Sequence, residues 1–326
     1  MTMLTRRDAL SLGAGFAATS LTGLVANAQE VYPNRPVHVS IGFSAGSGAD
    51  ILSRYFAHKL EELAKQPFIM ENKPGATGNI AVRYVARAEP DGYNILFVAN
   101  SNMAGSRYLF KETPFDSLAD FKPVASFAQI AFVLVVSPKS PINSIQELVA
   151  KLKAKKDNIA GYTNQTAQLS TELFKQITGA PARAVSYKTA ADAMKDITDS
   201  TLDFMILDGT FAAGQVRQGQ LKALAVTTTK RSPTFPDTPT MQEAGVTGFD
   251  FSPWWCVYVP AKTPQPIADK LEAWMHEIAK MPETPKFLES VGSIVNDDTA
   301  AQADARLRAE LPKWEQLVKV AGIEPQ

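Results

Sequence analysis

Residues 37–64 read VHVSIGFSAGSGADILSRYFAHKLEELA, and they contain a complete structural unit. Val37 to Ile41 is an apolar run with strand character. The glycine-rich GFSAGSGAD (42–50) follows, and a helix with amphipathic spacing then spans 49–64. A strand that feeds a tight turn and opens a helix leaves the first helical N–H groups without intrahelical partners. With the helix dipole added, such a turn favours a carboxylate or a phosphate. Gly46 and Gly48 allow close backbone approach, or they serve only to relieve the tight turn. The nucleotide fingerprints are absent. Ile51 stands where G-x-G-x-x-G needs its third glycine, and no Walker lysine follows.

The same alternation continues along the chain. PFIMEN is a strand, KPGATGN a turn, IAVRYVARA a helix ended by Pro90-Asp91-Gly92, and NILFVAN a strand. The pattern restarts at FVLVVS (132–137). A capping pair, Ser144 with Glu147, opens a helix over 145–156. NIAGYT, a helix over 167–178, RAVSY, a helix over 190–199, LDFMIL, a helix over 211–218 and LKALAVT complete a second α/β set. The proline-punctuated KRSPTFPDTPTMQEAG connects to FDFSPWWCVYVP, a strand. Helices near 265–280, 284–291 and 299–321 come last and have no sheet of their own to cover. The economical arrangement is two α/β domains built on parallel sheets, joined by at least two crossings. A cleft lies between them, and the C-terminal helices pack on the first domain. The expected division is 29–130 with 254–326 against 131–253.

Composition narrows the function. Among 326 residues, 33 Lys+Arg balance 33 Asp+Glu, and no basic stripe suggests nucleic acid as a partner. Residues 1–28 carry Arg6-Arg7, a weakly apolar middle and Ala26-Asn27-Ala28, the pattern of a cleaved export signal, either of twin-arginine type or an ordinary Sec signal with two arginines. The single cysteine, Cys256, lies in an apolar run and reads as a buried thiol. His38, His58 and His276 have no His or Cys partner at metal-ligand spacing, so neither a metal nor a cofactor is expected. No G-x-S-x-G elbow occurs, and Ser47 and Ser44 have no evident base, which argues against a hydrolase.

Donor-rich turns recur at the ends of expected strands: Pro74 to Asn79, Tyr162 to Gln168, and Tyr187 to Ala191. In open α/β sheets that end is where ligands bind. Loops from both domains would meet at one cleft, suited to a small organic anion held by neutral donors.

Six stretches together resemble the substrate-binding receptors of tripartite tricarboxylate transporters, the Bordetella uptake gene family. They are YPNRPVHVSIGFSAGSGADILSR, MENKPGATGNIA, ARAEPDGYNILF, TPFDSLADFKPVA, ALAVTTTKRSPTFPDTPTMQEAG and the SPWW…VPAKTP run. The resemblance implies a two-lobed periplasmic binding protein of the type II, Venus-flytrap kind. It also implies a monomer in the periplasm that takes a small organic carboxylate to membrane transporter subunits. By the same resemblance the ligand contacts fall on Phe43, Ser44, Ala45, Gly46 and Ser47 in the first lobe. In the second lobe they fall on Thr163, Asn164, Gln165, Thr166, Gln168, Tyr187, Lys188, Thr189 and Asp208. Ser44-Ala45 stands where the family commonly has two prolines, and the 163–168 loop is rich in amides. Arg107 stands where a small residue is common; it could clamp a second carboxylate or be a solvated arginine at a helix start. Trp254 could wall the pocket or stack on an aromatic ligand, or it could pack in the hinge or the core. These departures point to a dicarboxylic or aromatic acid, such as a phthalate-type compound. A sensor adaptor of the same fold is the alternative role.

Overall fold

The opening unit folds as strand β1 (Val37–Ile41) and helix α1 (Gly48–Ala64). Ser47 caps α1 by accepting from the Asp50 amide, and Lys65, at φ 55°, ends it in the left-handed region. The computed structural model describes residues 32–228, 230–249 and 251–325; the expected export signal, 1–28, lies outside them. From Arg35 onward the chain is one unit, separate from Met1–Asn34.

After α1 come β2 (Phe68–Asn72), α2 (Asn79–Ala86) and β3 (Asn94–Ala99). A π turn (Ser101–Gly105), the short α3 (Ser106–Leu109) and β4 (Phe121–Ile130) follow. The next set is β5 (Phe132–Val136), α4 (Ile145–Ala154), β6 (Ile159–Tyr162), α5 (Gln165–Thr178) and β7 (Arg183–Ser186). It ends with α6 (Ala190–Thr198), β8 (Phe204–Asp208), α7 (Gly209–Arg217) and β9 (Lys222–Val226). The chain closes with β10 (Trp254–Pro260), α8 (Gln265–Lys280), α9 (Glu283–Ser290), β11 (Ser293–Val295) and α10 (Ala300–Val320).

These strands form two sheets, one per lobe. The first has the order β11-β4-β10-β3-β1-β2, the second β7-β6-β8-β5-β9. The sheets are mixed, which corrects the expectation of parallel ones. β2-β1-β3 and β7-β6-β8 are parallel, as strand–helix–strand crossovers require. β10 runs antiparallel to β3 and β4, and β5 antiparallel to β8 and β9. These are the strands that carry the chain between sheets, so each enters from the opposite end. The capping pair of α4 is also only half reciprocal. Ser144 accepts from the Glu147 amide, but Glu147 accepts from the Asn143 amide instead of the cap's own.

Burial explains the two cores. In the first sheet, Phe56 of α1 packs on Phe127 of β4 (ring centroids 4.6 Å apart), and Phe97 of β3 packs on the same ring at 5.1 Å. Helices α8 and α10 pack on β4 and α9 on β11, so the C-terminal helices do cover the first sheet. Val133, Val135, Met205, Leu207 and Ile197 fill one face of the second.

Candidate functional site

The parallel strands direct the donor loops. The loops after β1, β2 and β3 all leave one end of the first sheet. Those after β6, β7 and β8 leave one end of the second. The two ends meet. A Cβ built on Gly48, at the start of α1, would lie 3.0 Å from Thr210 Cβ and 3.2 Å from its Oγ1, at the start of α7.

The first loop is a tight turn. The Ser47 amide donates to the Ser44 carbonyl at 3.2 Å, and Gly46 sits at φ 77°, a conformation that favours glycine. Its donors are partly engaged. Ser47 Oγ accepts from the Asp50 amide, and the Gly46 amide donates to Asp50 Oδ2 at 2.8 Å. The amides of Gly48 and Ala49 have no acceptor among the described residues. They are the pair left for an anion at this helix start. Ser44, Ala45 and Gly46 are exposed, while Phe43 is half-buried with its ring 5.4 Å from Trp255.

Behind this turn the first-lobe loops are in backbone contact. A Cβ on Gly42 would come within 2.4 Å of Gly78 Cα, and Gly78 itself sits at φ 100° with Asn102 Nδ2 2.9 Å from where its Cβ would be. Asn79 Oδ1 accepts from Asn102 Nδ2 at 3.2 Å and from Ser106 Oγ at 2.8 Å, which ties the α2 start to the π turn. Asp50 burial works against ionisation, but hydrogen bonds from Arg54, Asn72 and the Gly46 amide outweigh it. They hold its carboxyl below the ordinary value.

In the second lobe, Asn164 caps α5 by accepting from the Ala167 amide at 2.9 Å. Thr163, Gln165 and Gln168 are half-buried around it, and Thr166 is buried. Asp208 caps α7 by accepting from the Phe211 amide at 3.0 Å. Burial pushes its carboxyl up, and the backbone amides of Phe211 and Thr210 pull the other way. β8 neighbours the crossing strand β5, so its loop faces α1. β7 is the far edge strand, and its loop serves its own helix. Tyr187 donates its hydroxyl to Asp196, and burial together with that carboxylate raises it to about 12. Thr189 forms a capping box with Asp192, and Lys188 is exposed.

Two expected contacts are not brought to these loops. Arg107 is exposed on α3 and opens on a separate cavity of about 310 Å³ with Met103, Thr113, Phe115, Asp116 and Ser117. Trp254 is fully buried; its Nε1 donates to Glu310 at 2.6 Å and Arg306 lies over its ring at 4.8 Å. A further cavity of about 320 Å³ lies along α10, lined by Asn100, Gln129, Phe251, Ser252 and both polar and apolar residues of that helix. Neither cavity includes the glycine loop. The sequence reading passed over Asp50, Asn72, Thr210 and Glu310. Only Asp50 carried a local signal, its place three residues after the capping Ser47.

The three histidines pair with carboxylates: His38 with Glu71, His58 with Glu62, and His276 with Glu272 and Asp297. Cys256 is buried, and burial pushes its thiol far above the ordinary value. Among the described residues no cluster of His, Cys, Asp or Glu could hold a metal ion, and no helix is long and apolar enough to cross a membrane.

Known proteins share this architecture. Protein BugT of Bordetella pertussis is 30% identical over 299 residues, covering 90% of this chain and 92% of its own. The structure of R. palustris Rpa4515 with adipate aligns at TM-score 0.84 and 30% identity, over 90% of this chain and 100% of that one. The periplasmic binding protein BugD aligns at TM-score 0.80 and 31% identity, over 90% and 100%. Residues 52–323 match the family described as "Tripartite tricarboxylate transporter family receptor", and the chain belongs to that family of solute-binding receptors.

Proposed function

We propose that this protein is an exported, periplasmic receptor that captures a small dicarboxylate between its lobes and presents it to a tripartite tricarboxylate-type transporter. The observation that carries the reading is the meeting of the α1 and α7 starts across the cleft, with the Gly48 and Ala49 amides unengaged. One carboxylate would sit against these amides. The other would reach the amide-rich loop of Asn164 and Gln165 in the second lobe. Lobe one is taken as 29–130 with 254–326, lobe two as 131–253. The contact set rests on Ser44 to Ser47 and on the 163–168 and 208–210 loops. Arg107 and Trp254 lie elsewhere, so an open-chain acid is favoured over an aromatic one. The adipate held by the R. palustris relative supports that choice.

Binding to both lobes favours the closed arrangement over an open one, and the transporter would read the closed form. No step of covalent chemistry is assigned, because Ser47 Oγ is engaged as the α1 cap. A thermal-shift screen across C4 to C8 dicarboxylates, aromatic acids and amino acids tests the proposal. Stabilisation by open-chain dicarboxylates is expected, and stabilisation by amino acids alone would overturn it.

A further inference from the structure

The turn proposed to meet the ligand has no proline and three exposed residues in a row, yet its backbone is held at both ends. The reason lies in three side chains behind it. Asp50 Oδ2 accepts from the Gly46 amide at 2.8 Å and from Arg54 Nε at 2.9 Å. Asp50 Oδ1 accepts from Asn72 Nδ2 at 2.8 Å, and the same Nδ2 donates to the Phe43 carbonyl at 3.0 Å. Arg54 Nη2 closes the ring by donating to Asn72 Oδ1 at 3.0 Å. One backbone group at each end of the 43–46 turn is therefore held by side chains of α1 and β2.

We propose that Asp50, Arg54 and Asn72 form a clamp that presets the anion-binding turn, so that Gly48 and Ala49 present their amides before ligand arrives. The inference rests on the dicarboxylate reading above for its ligand, but the clamp itself is independent of it. Asp50 is only 2% exposed, so its carboxylate needs all three donors. It also places a negative charge beside a site meant for an anion, and Arg54 balances that charge without entering the site. Asn72 is the member that holds the Phe43 end directly and the Gly46 end through Asp50. Its loss frees the Phe43 carbonyl and unlocks Asp50 while leaving every charge in place. The three are positioning residues; none needs to touch the ligand.

The geometry also supplies a rescue. Ala45 occupies the second position of a turn whose third residue, Gly46, has φ 77°. Proline is well suited to that second position and would stiffen the turn without the clamp. The test uses the mature protein, with Asn72→Ala and Asn72→Ala/Ala45→Pro variants. Exchange of the Gly46 amide is followed by NMR without ligand, and adipate affinity by calorimetry. The clamp predicts a protected Gly46 amide in the parent and faster exchange in Asn72→Ala. It also predicts an adipate affinity lower by about tenfold in Asn72→Ala, as expected when a tenth of the molecules hold the competent turn. In the double variant the affinity returns, while thermal stability lost with Asn72 is not needed for that return. Unchanged Gly46 exchange in Asn72→Ala overturns the clamp whatever the ligand. Faster exchange with unchanged affinity overturns its role in binding. A protected, Asn72-dependent Gly46 amide in a protein that binds no dicarboxylate supports the clamp and overturns the ligand reading alone.

Discussion

Gly48 and Thr210 are one close contact between the two lobes, beside the backbone approach of Gly209 to Gly292. A methyl group at Gly48 would stand 3.0 Å from Thr210 Cβ, closer than carbon atoms pack. Gly48→Ala should therefore hold the lobes apart and weaken dicarboxylate binding by about tenfold, or about 1.4 kcal/mol. Thr210→Gly in the same chain should restore most of that loss, read as a double-mutant cycle by calorimetry. Gly46 behaves differently. Its Cβ would meet nothing within 4 Å, so a side chain there costs backbone strain only, about 1–2 kcal/mol of stability at φ 77°. Gly46→Leu should fold with a modestly lowered melting temperature, measured by calorimetric scanning, while its side chain crowds the approach to the Gly48 and Ala49 amides. Residue types alone could not distinguish these two glycines. Both were legible as members of a tight turn, but the partner of Gly48 is remote in the chain and follows a strand of the other sheet.

At the scale of elements, the units with strong local signals were read directly, and the misses have physical causes. β1 and α1 announce themselves by an apolar run and amphipathic spacing. β4, FKPVASFAQI, does not, because Pro123 interrupts it. The strand tolerates that proline where the β10 register shifts, between Val257 and Tyr258, and β11 pairs only with residues 128–130 of β4. Trp254 was legible as an aromatic on a crossing strand that could serve either the pocket or the core, and it lies in the core. Its burial depends on Glu310, which accepts from Trp254 Nε1 at 2.6 Å and Asn100 Nδ2 at 2.7 Å and so fastens α10 to the strands at the crossing. Burial raises the Glu310 carboxyl, although Asn100, Trp254 and Arg306 favour its ionised form. A carboxyl raised on folding binds its proton more tightly in the native state. Its contribution is therefore full below the ordinary carboxylate range, about 4.3, and is lost as pH rises through the shifted value. The melting temperature of the parent relative to Glu310→Gln should fall as pH rises from about 4 toward neutrality. A difference that grew with pH would contradict the burial effect.

The whole molecule combines two mixed sheets, strands that cross between them, and a C-terminal helix that packs on both the first sheet and α5 of the second. Alternating strands and helices made two α/β lobes legible. The antiparallel crossing strands were not, because their direction follows from which sheet they enter and not from their own residues. The site was half legible for the same reason. Loops at the ends of parallel strands could be grouped, but Arg107 could not be seen to leave them for another cavity. If closure accompanies capture, scattering should give a smaller radius of gyration with adipate than without, and Gly48→Ala should reduce that change. Capture itself is tested most directly by one calorimetric titration of the mature protein with adipate, alongside aspartate and Gly46→Leu as controls. One adipate per chain should bind with a dissociation constant below about 10 μM, near about −7 kcal/mol. Aspartate should bind weakly or not at all, and Gly46→Leu should lose at least about tenfold in adipate affinity. Failure to bind adipate, or adipate affinity unchanged in Gly46→Leu, would contradict capture of an open-chain dicarboxylate at this turn.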